Sequence, residues 1–90
     1  HANYQPNAPF AEQDEQVAFW LHLSEYVPAE HVSGKRVIVG HTPQKSGEIL
    51  DMGHLVGIDT HCFGNGYLTA MDVKSDQIWQ ADKAGELRVS

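Results

Sequence analysis

Between residues 12 and 26 the apolar side chains fall three and four apart. Val17, Trp20 and Leu21 share one face with Ser24, and Phe19 and Leu23 widen the stripe. The spacing predicts a helix over 12–26. Asp14 stands at the N-cap position with Val17 as its N3 residue, and Pro28 bars continuation. Ahead of the helix, residues 1–9 (HANYQPNAP) carry Asn and Pro at short intervals and read as extended or looped. Behind it, His31-Val32-Ser33-Gly34-Lys35 is a polar connector.

From Arg36 onward the chain reads as strands. The first covers 36–39, a β-branched run that stops at Gly40. Ser46-Gly47 turns before a strand at 48–51, Gly53 breaks again, and 54–59 (HLVGID) is the next run. Asn65-Gly66 is a strong turn signal. Over 67–73, Tyr67, Thr69, Met71 and Val73 alternate with Leu68, Ala70 and Asp72. The chain returns over 77–81, where Ile78 and Trp79 add β-branched and aromatic bulk, so these two runs predict a hairpin. Asp82-Lys83-Ala84-Gly85 turns once more before 86–89. The predicted fold class is α+β: one helix, then an antiparallel meander of about five or six strands.

Ninety residues bound the chain to one small domain or a piece of a larger one. Twelve acids against six bases give a net charge of −6, which disfavours a nucleic-acid partner, because phosphate backbones call for clustered Lys and Arg. The single cysteine, Cys62, permits no intrachain disulfide, and no apolar run approaches the ~20 residues of a membrane span. With no signal peptide visible, these features predict a cytoplasmic protein without a membrane partner. Starting at His1 rather than Met, the sequence reads as a tag remnant joined to a segment, or as a segment whose upstream part was removed.

Six histidines is a high count for this length. His22 on the helix and His31 in the connector read as surface residues, and His54, opening a strand after Gly53, as structural. His41 has a distinctive setting at the end of the first strand. Gly40 permits close backbone approach and unusual dihedrals there, and Pro43 stiffens the segment beyond it. An imidazole fixed in this way suits a borderline metal such as Mn, Fe or Zn. One imidazole does not make a metal site.

The ordered set Gly40-His41-Thr42-Pro43, Gly53, Ile58-Asp59-Thr60, Gly66 and Leu68-Thr69-Ala70 resembles the C-terminal part of the calcineurin-like metallophosphoesterases. The likeness is nearest to the bacterial and phage branch of the serine/threonine protein phosphatase family. His1-Ala2 resembles the end of that family's F-V-H-A segment, continuing into Tyr4, Pro6 and Glu12-Gln13. The resemblance covers residues 1–13 and about 35–82. It implies a partial domain, 1–90, of an αββα sandwich, supplying much of the second sheet and one flanking helix. It also implies two divalent metal ions (Mn, Fe or Zn) that activate a water for in-line attack on phosphorus. By this resemblance His1 and His41 are ligands of one metal. His61, where relatives carry Tyr in a Tyr-Cys pair, departs from the pattern in a loop bordering the phosphate and is the candidate substrate contact. Cys62 reads as buried and inert, and Asp59 as holding the loop.

The family's D-x-H, G-D-x-x-D-R-G and G-N-H-E motifs occur nowhere in the sequence, so no catalytic residue is assigned. Arg36 and Arg88 match neither phosphate-binding arginine. The expected partners are a phosphorylated substrate, either a phosphomonoester or a dinucleoside polyphosphate, and the N-terminal half of the parent domain. The segment alone is expected to be inactive. Two readings stand beside this one: a non-catalytic module that self-associates through an uncovered apolar face, and a small zinc site from His41, His54, His61 and Cys62, whose spacing has no zinc-finger pattern.

Overall fold

The computed structural model describes residues 1–88. Asp14 is the N-cap its position predicts: its carboxylate accepts from the amides of Gln16 and Val17 at 2.8 and 3.3 Å. The helix it starts, α1, spans only Glu15–Trp20, after a short 3-10 turn at Phe10–Glu12. The expectation of a helix over 12–26 is therefore corrected, and tertiary hydrogen bonds explain its early end. The Ala18 carbonyl, which the His22 amide would use in a further turn, accepts from the Ala2 amide at 2.7 Å. The Trp20 carbonyl accepts from His41 Nε2 at 3.1 Å, and the Leu23 amide donates to the Thr42 hydroxyl oxygen at 2.7 Å. Leu21 consequently goes extended. The apolar stripe buries only through Leu23, beyond the helix, while Trp20 remains 62% exposed.

Two three-stranded sheets come after the helix. The first contains β1 (Val37–Val39), β2 (Leu50–Asp51) and β3 (Leu55–Gly57) in the order β1-β3-β2. The second contains β4 (Asp59–Thr60), β5 (Tyr67–Met71) and β6 (Ile78–Ala81) in chain order. β1 runs parallel to β3, with Val37 opposite Leu55 and Val39 opposite Gly57, and the other pairings are antiparallel. The α+β class stands, but the single antiparallel meander does not. The one strand expected over 54–59 is also corrected. The run breaks at Ile58, whose amide donates to the Val39 carbonyl at 2.9 Å, so its two ends serve different sheets. The β5–β6 hairpin forms with Met71 opposite Ile78, as the alternation predicts. The strand expected at 86–89 is reduced to one bridge between Leu87 and Ala81, and Val89 lies outside the described residues.

The first sheet packs an apolar core of Tyr4, Leu23, Val39 and Leu55, flanked by Val37 and Leu50. The N-terminal residues are without helix or strand, as expected of an extended or looped stretch, yet they belong to the core: Ala2, Asn3 and Tyr4 are all buried. Asn3 donates to the Tyr26 carbonyl at 2.8 Å, and the Tyr4 hydroxyl donates to the Ala29 carbonyl at 2.6 Å. His31 is buried rather than on the surface. Its Nε2 donates to the Ala8 carbonyl at 2.6 Å and its Nδ1 accepts the Ser33 amide at 3.0 Å, which fixes the tautomer.

The second sheet covers its inner face with polar groups instead. Gln80 Nε2 donates to the Gly47 carbonyl and to the Thr69 hydroxyl, both at 3.0 Å. Thr60 donates to the Tyr67 carbonyl at 2.5 Å, so in its 2.5 Å contact with Thr69 it must be the acceptor. Every proton in this chain thus has one direction. Arg88 closes the row by donating to Gln80 Oε1 at 2.9 Å while lying 4.7 Å from the centre of the Tyr67 ring. Among the described residues no helix is long and apolar enough to cross a membrane.

Candidate functional site

The parallel strand β1 ends at Val39, and the site is built around its C-terminal end. The next amide, Gly40, donates to the His1 carbonyl at 2.8 Å. This bond lays the N-terminal residue beside the strand end and brings together the two histidines that the resemblance singles out. The ring centroids of His1 and His41 are 5.1 Å apart, edge to face. The C-terminus of α1 places the Trp20 indole 6.2 Å from His41.

His41, not Gly40, adopts the unusual backbone. Its φ is 69°, in the left-handed region that costs a side-chain-bearing residue about 1–2 kcal/mol. The sequence-based role for Gly40 is corrected accordingly: Gly40 has an ordinary φ, and the strain sits on the imidazole-bearing residue. The Trp20 carbonyl can only accept, so His41 must carry its proton on Nε2, which leaves Nδ1 with a free lone pair. A carbonyl that fixes the tautomer and orientation of a histidine is the arrangement commonly found behind metal-binding imidazoles.

His22, expected on the helix surface, is the residue that sequence reasoning missed. With the helix ending at Trp20, His22 turns inward, half-buried, and its ring stacks on His41 at 4.2 Å and 24°. Its Nδ1 lies 3.4 Å from the Thr42 hydroxyl. No spacing signal marks His22. Only the early helix end, which depends on His41 and Thr42, brings it here.

His61 sits in a separate loop. It too has a φ of 69°, and its ring packs against Phe63 at 4.7 Å and over the backbone of Gly64. A side chain at Gly64 would collide with that ring, and one at Gly66 would run into the Thr60 carbonyl. Asp59 holds the loop, its carboxylate accepting the His61 amide at 3.2 Å. The Asp59 carbonyl accepts from the Gln44 amide at 2.7 Å, which ties this loop to the segment beyond His41. Cys62 is half-buried and free. His54 donates to the Pro28 carbonyl at 2.9 Å, a structural bond as expected, so His41, His54, His61 and Cys62 are not drawn into one quartet.

Imidazole nitrogens suit Mn, Fe or Zn, and the free Nδ1 of His41 beside the His1 ring fits the notion of half a metal site. Among the described residues no three His, Cys, Asp or Glu side chains are grouped so as to hold an ion by themselves. No protein-family model, curated protein or solved structure matches the chain.

Proposed function

We propose that these residues are part of a metal-dependent phosphoesterase similar to the serine/threonine protein phosphatases, acting on phosphomonoesters, with dinucleoside polyphosphates as the related substrate class. The observation that carries the reading is the pairing of His1 with His41, fixed by the Gly40–His1 backbone bond at the C-terminal end of a parallel strand. In this reading His1 and His41 hold one of two divalent ions, and the ions supply Lewis-acid activation of water and of the phosphoryl group. His41 presents Nδ1 because Trp20 holds its Nε2 proton. We assign His61 to the phosphate side of the site, on the separate loop that Asp59 holds and that packs closely over Gly64 and Gly66. The bridging carboxylate and remaining ligands come from residues beyond these 90.

Addition of Mn²⁺ to the chain tests this directly. It should broaden the ring resonances of His1 and His41 before that of His31, whose ring nitrogens are both engaged, Nε2 by the Ala8 carbonyl and Nδ1 by the Ser33 amide. Equal broadening of all the histidines would remove the metal assignment. The chain alone should not turn over p-nitrophenyl phosphate with Mn²⁺, and metal-dependent turnover would contradict the claim that the set is incomplete.

One observation favours the second reading, self-association. Leu68, Ala70, Trp79 and Leu87 lie on one face of the second sheet, linked by the pairings Ala70–Trp79, Leu68–Ala81 and Ala81–Leu87. All four are exposed, Leu68 by 64% and Leu87 by 66%. Sedimentation at two concentrations decides it: a mass that does not change with concentration excludes it.

A further inference from the structure

We infer that His22 is a binding residue that donates a hydrogen bond to a phosphoryl oxygen of the ligand held at this site. The inference rests on the proposed function, since it takes His41 as the neighbouring metal ligand. It starts from the protons. The Thr42 hydroxyl oxygen accepts the Leu23 amide at 2.7 Å, and its own proton is free to be donated elsewhere. His22 Nδ1 lies within reach at 3.4 Å, and on this inference it accepts that proton. With Nδ1 accepting, His22 carries its proton on Nε2 and presents it as a donor. His41 has the opposite assignment: its Nε2 proton is held by Trp20, and its Nδ1 is the lone pair.

On these assignments the stack sets an N–H donor on a ring centred 4.2 Å from the ring that bears the free lone pair. Among the described residues no hydrogen bond occupies His22 Nε2 or His41 Nδ1. An oxyanion drawn to a cation on His41 would meet the His22 donor beside it. The 4.2 Å stacking and the Thr42 contact hold the donor in place, so little freedom is lost when it is used. Thr42 acts through His22, as a positioning residue.

The test uses the ¹⁵N-labelled 90-residue chain and inorganic phosphate, with ring nitrogens followed by long-range ¹H–¹⁵N correlation. Before phosphate is added, His22 and His41 should both show the Nε2-protonated tautomer. Phosphate, with and without Zn²⁺, should then shift His22 Nε2 saturably and leave His31 and His54 in place. His22→Phe keeps a ring to stack on His41 but has no donor, and phosphate affinity should fall about tenfold or more. His22→Gln, which restores an N–H, should recover part of it. Amide shifts of Val39 and Leu55 report whether each variant is folded.

A His22 ring that phosphate does not shift, or a His22→Phe variant with wild-type affinity, overturns the inference. Metal-induced broadening of His1 and His41 together with a silent His22 overturns the inference alone and leaves the proposed function standing. A phosphate response at His22 without any metal response at His1 and His41 supports the donor and removes the metal reading.

Discussion

The first sheet is held by shape and the second by direction. Around β1 and β3 the buried side chains are Tyr4, Leu23, Val39, Leu55 and Val56. Between β5 and β6 they are Thr69 and Gln80, with Thr60 from β4. Burial of hydrocarbon is non-directional and tolerates small changes in side-chain orientation. A chain of hydroxyl and amide protons, each with one partner, tolerates none. The histidine cluster lies at the end of the apolar half, where packing alone would leave ring orientation loose. Four directed bonds make up for this: Gly40 to His1, Ala2 to Ala18, His41 to Trp20 and Leu23 to Thr42.

Hollowing out the apolar half should have the greatest consequence. Leu55 is fully buried on the central strand of its sheet. Leu55→Ala should cost about 2–5 kcal/mol in urea unfolding, from lost transfer energy plus the cavity. A loss below about 1 kcal/mol would mean that the first sheet does not depend on this core.

In the polar half, Thr69→Val keeps the shape and removes one link. Gln80 then loses an acceptor and Thr60 a donor, for an expected cost of about 1–3 kcal/mol. Adding Gln80→Leu should cost less than it does in the wild-type background, because the unsatisfied amide is gone. Strict additivity in that double-mutant cycle would show that the links act independently.

A smaller effect separates the two ends of α1. Asp14→Ala removes the cap and should cost about 1 kcal/mol. The ring shifts of His22 and His41 should not move, because those rings depend on the helix C-terminus. Displaced rings would show that the cluster is set by the whole helix rather than by its last carbonyl.

Local signals are legible in the sequence wherever chemistry is local. The Asp14 cap, the β5–β6 hairpin and the Asp59-held loop each rest on neighbours within a few residues. The adjacency of His1 and His41 can be expected only through the resemblance, since forty residues separate them and a single backbone bond joins them. Periodicity overstates the helix length because it does not register competing acceptors: Ala18 and Trp20 lose their carbonyls to residues far away in sequence. The parallel β1–β3 pairing escapes the sequence for a similar reason, since short apolar runs carry no sign of strand direction. His22 inherits both errors. It becomes a site residue only after the helix stops and after Thr42 arrives, and neither event is written near it.

The mildest probe is pH, which should loosen the two halves at opposite ends of the scale. Burial pushes the Tyr4 phenol above its ordinary value, with Tyr26 and Glu30 adding to the shift. The neutral phenol is thus favoured in the folded chain. Its contribution is complete below about pH 10 and is lost as pH rises through the raised folded value. Asp72, at the β5–β6 turn, is shifted the other way. The Lys74 amide and the Ser75 hydroxyl and amide hold its carboxyl below the usual aspartate value. Its contribution is present above about pH 4 and is lost as pH falls through the lowered folded value. Asp72 is exposed, so solvent screening keeps this the smallest effect of all. Tyr4→Phe should flatten the alkaline fall in thermal stability and leave the acid limb alone, while Asp72→Asn should do the reverse. If either variant altered both limbs, the halves would be coupled through Ile58, which joins β3 to β4, rather than separately stabilised.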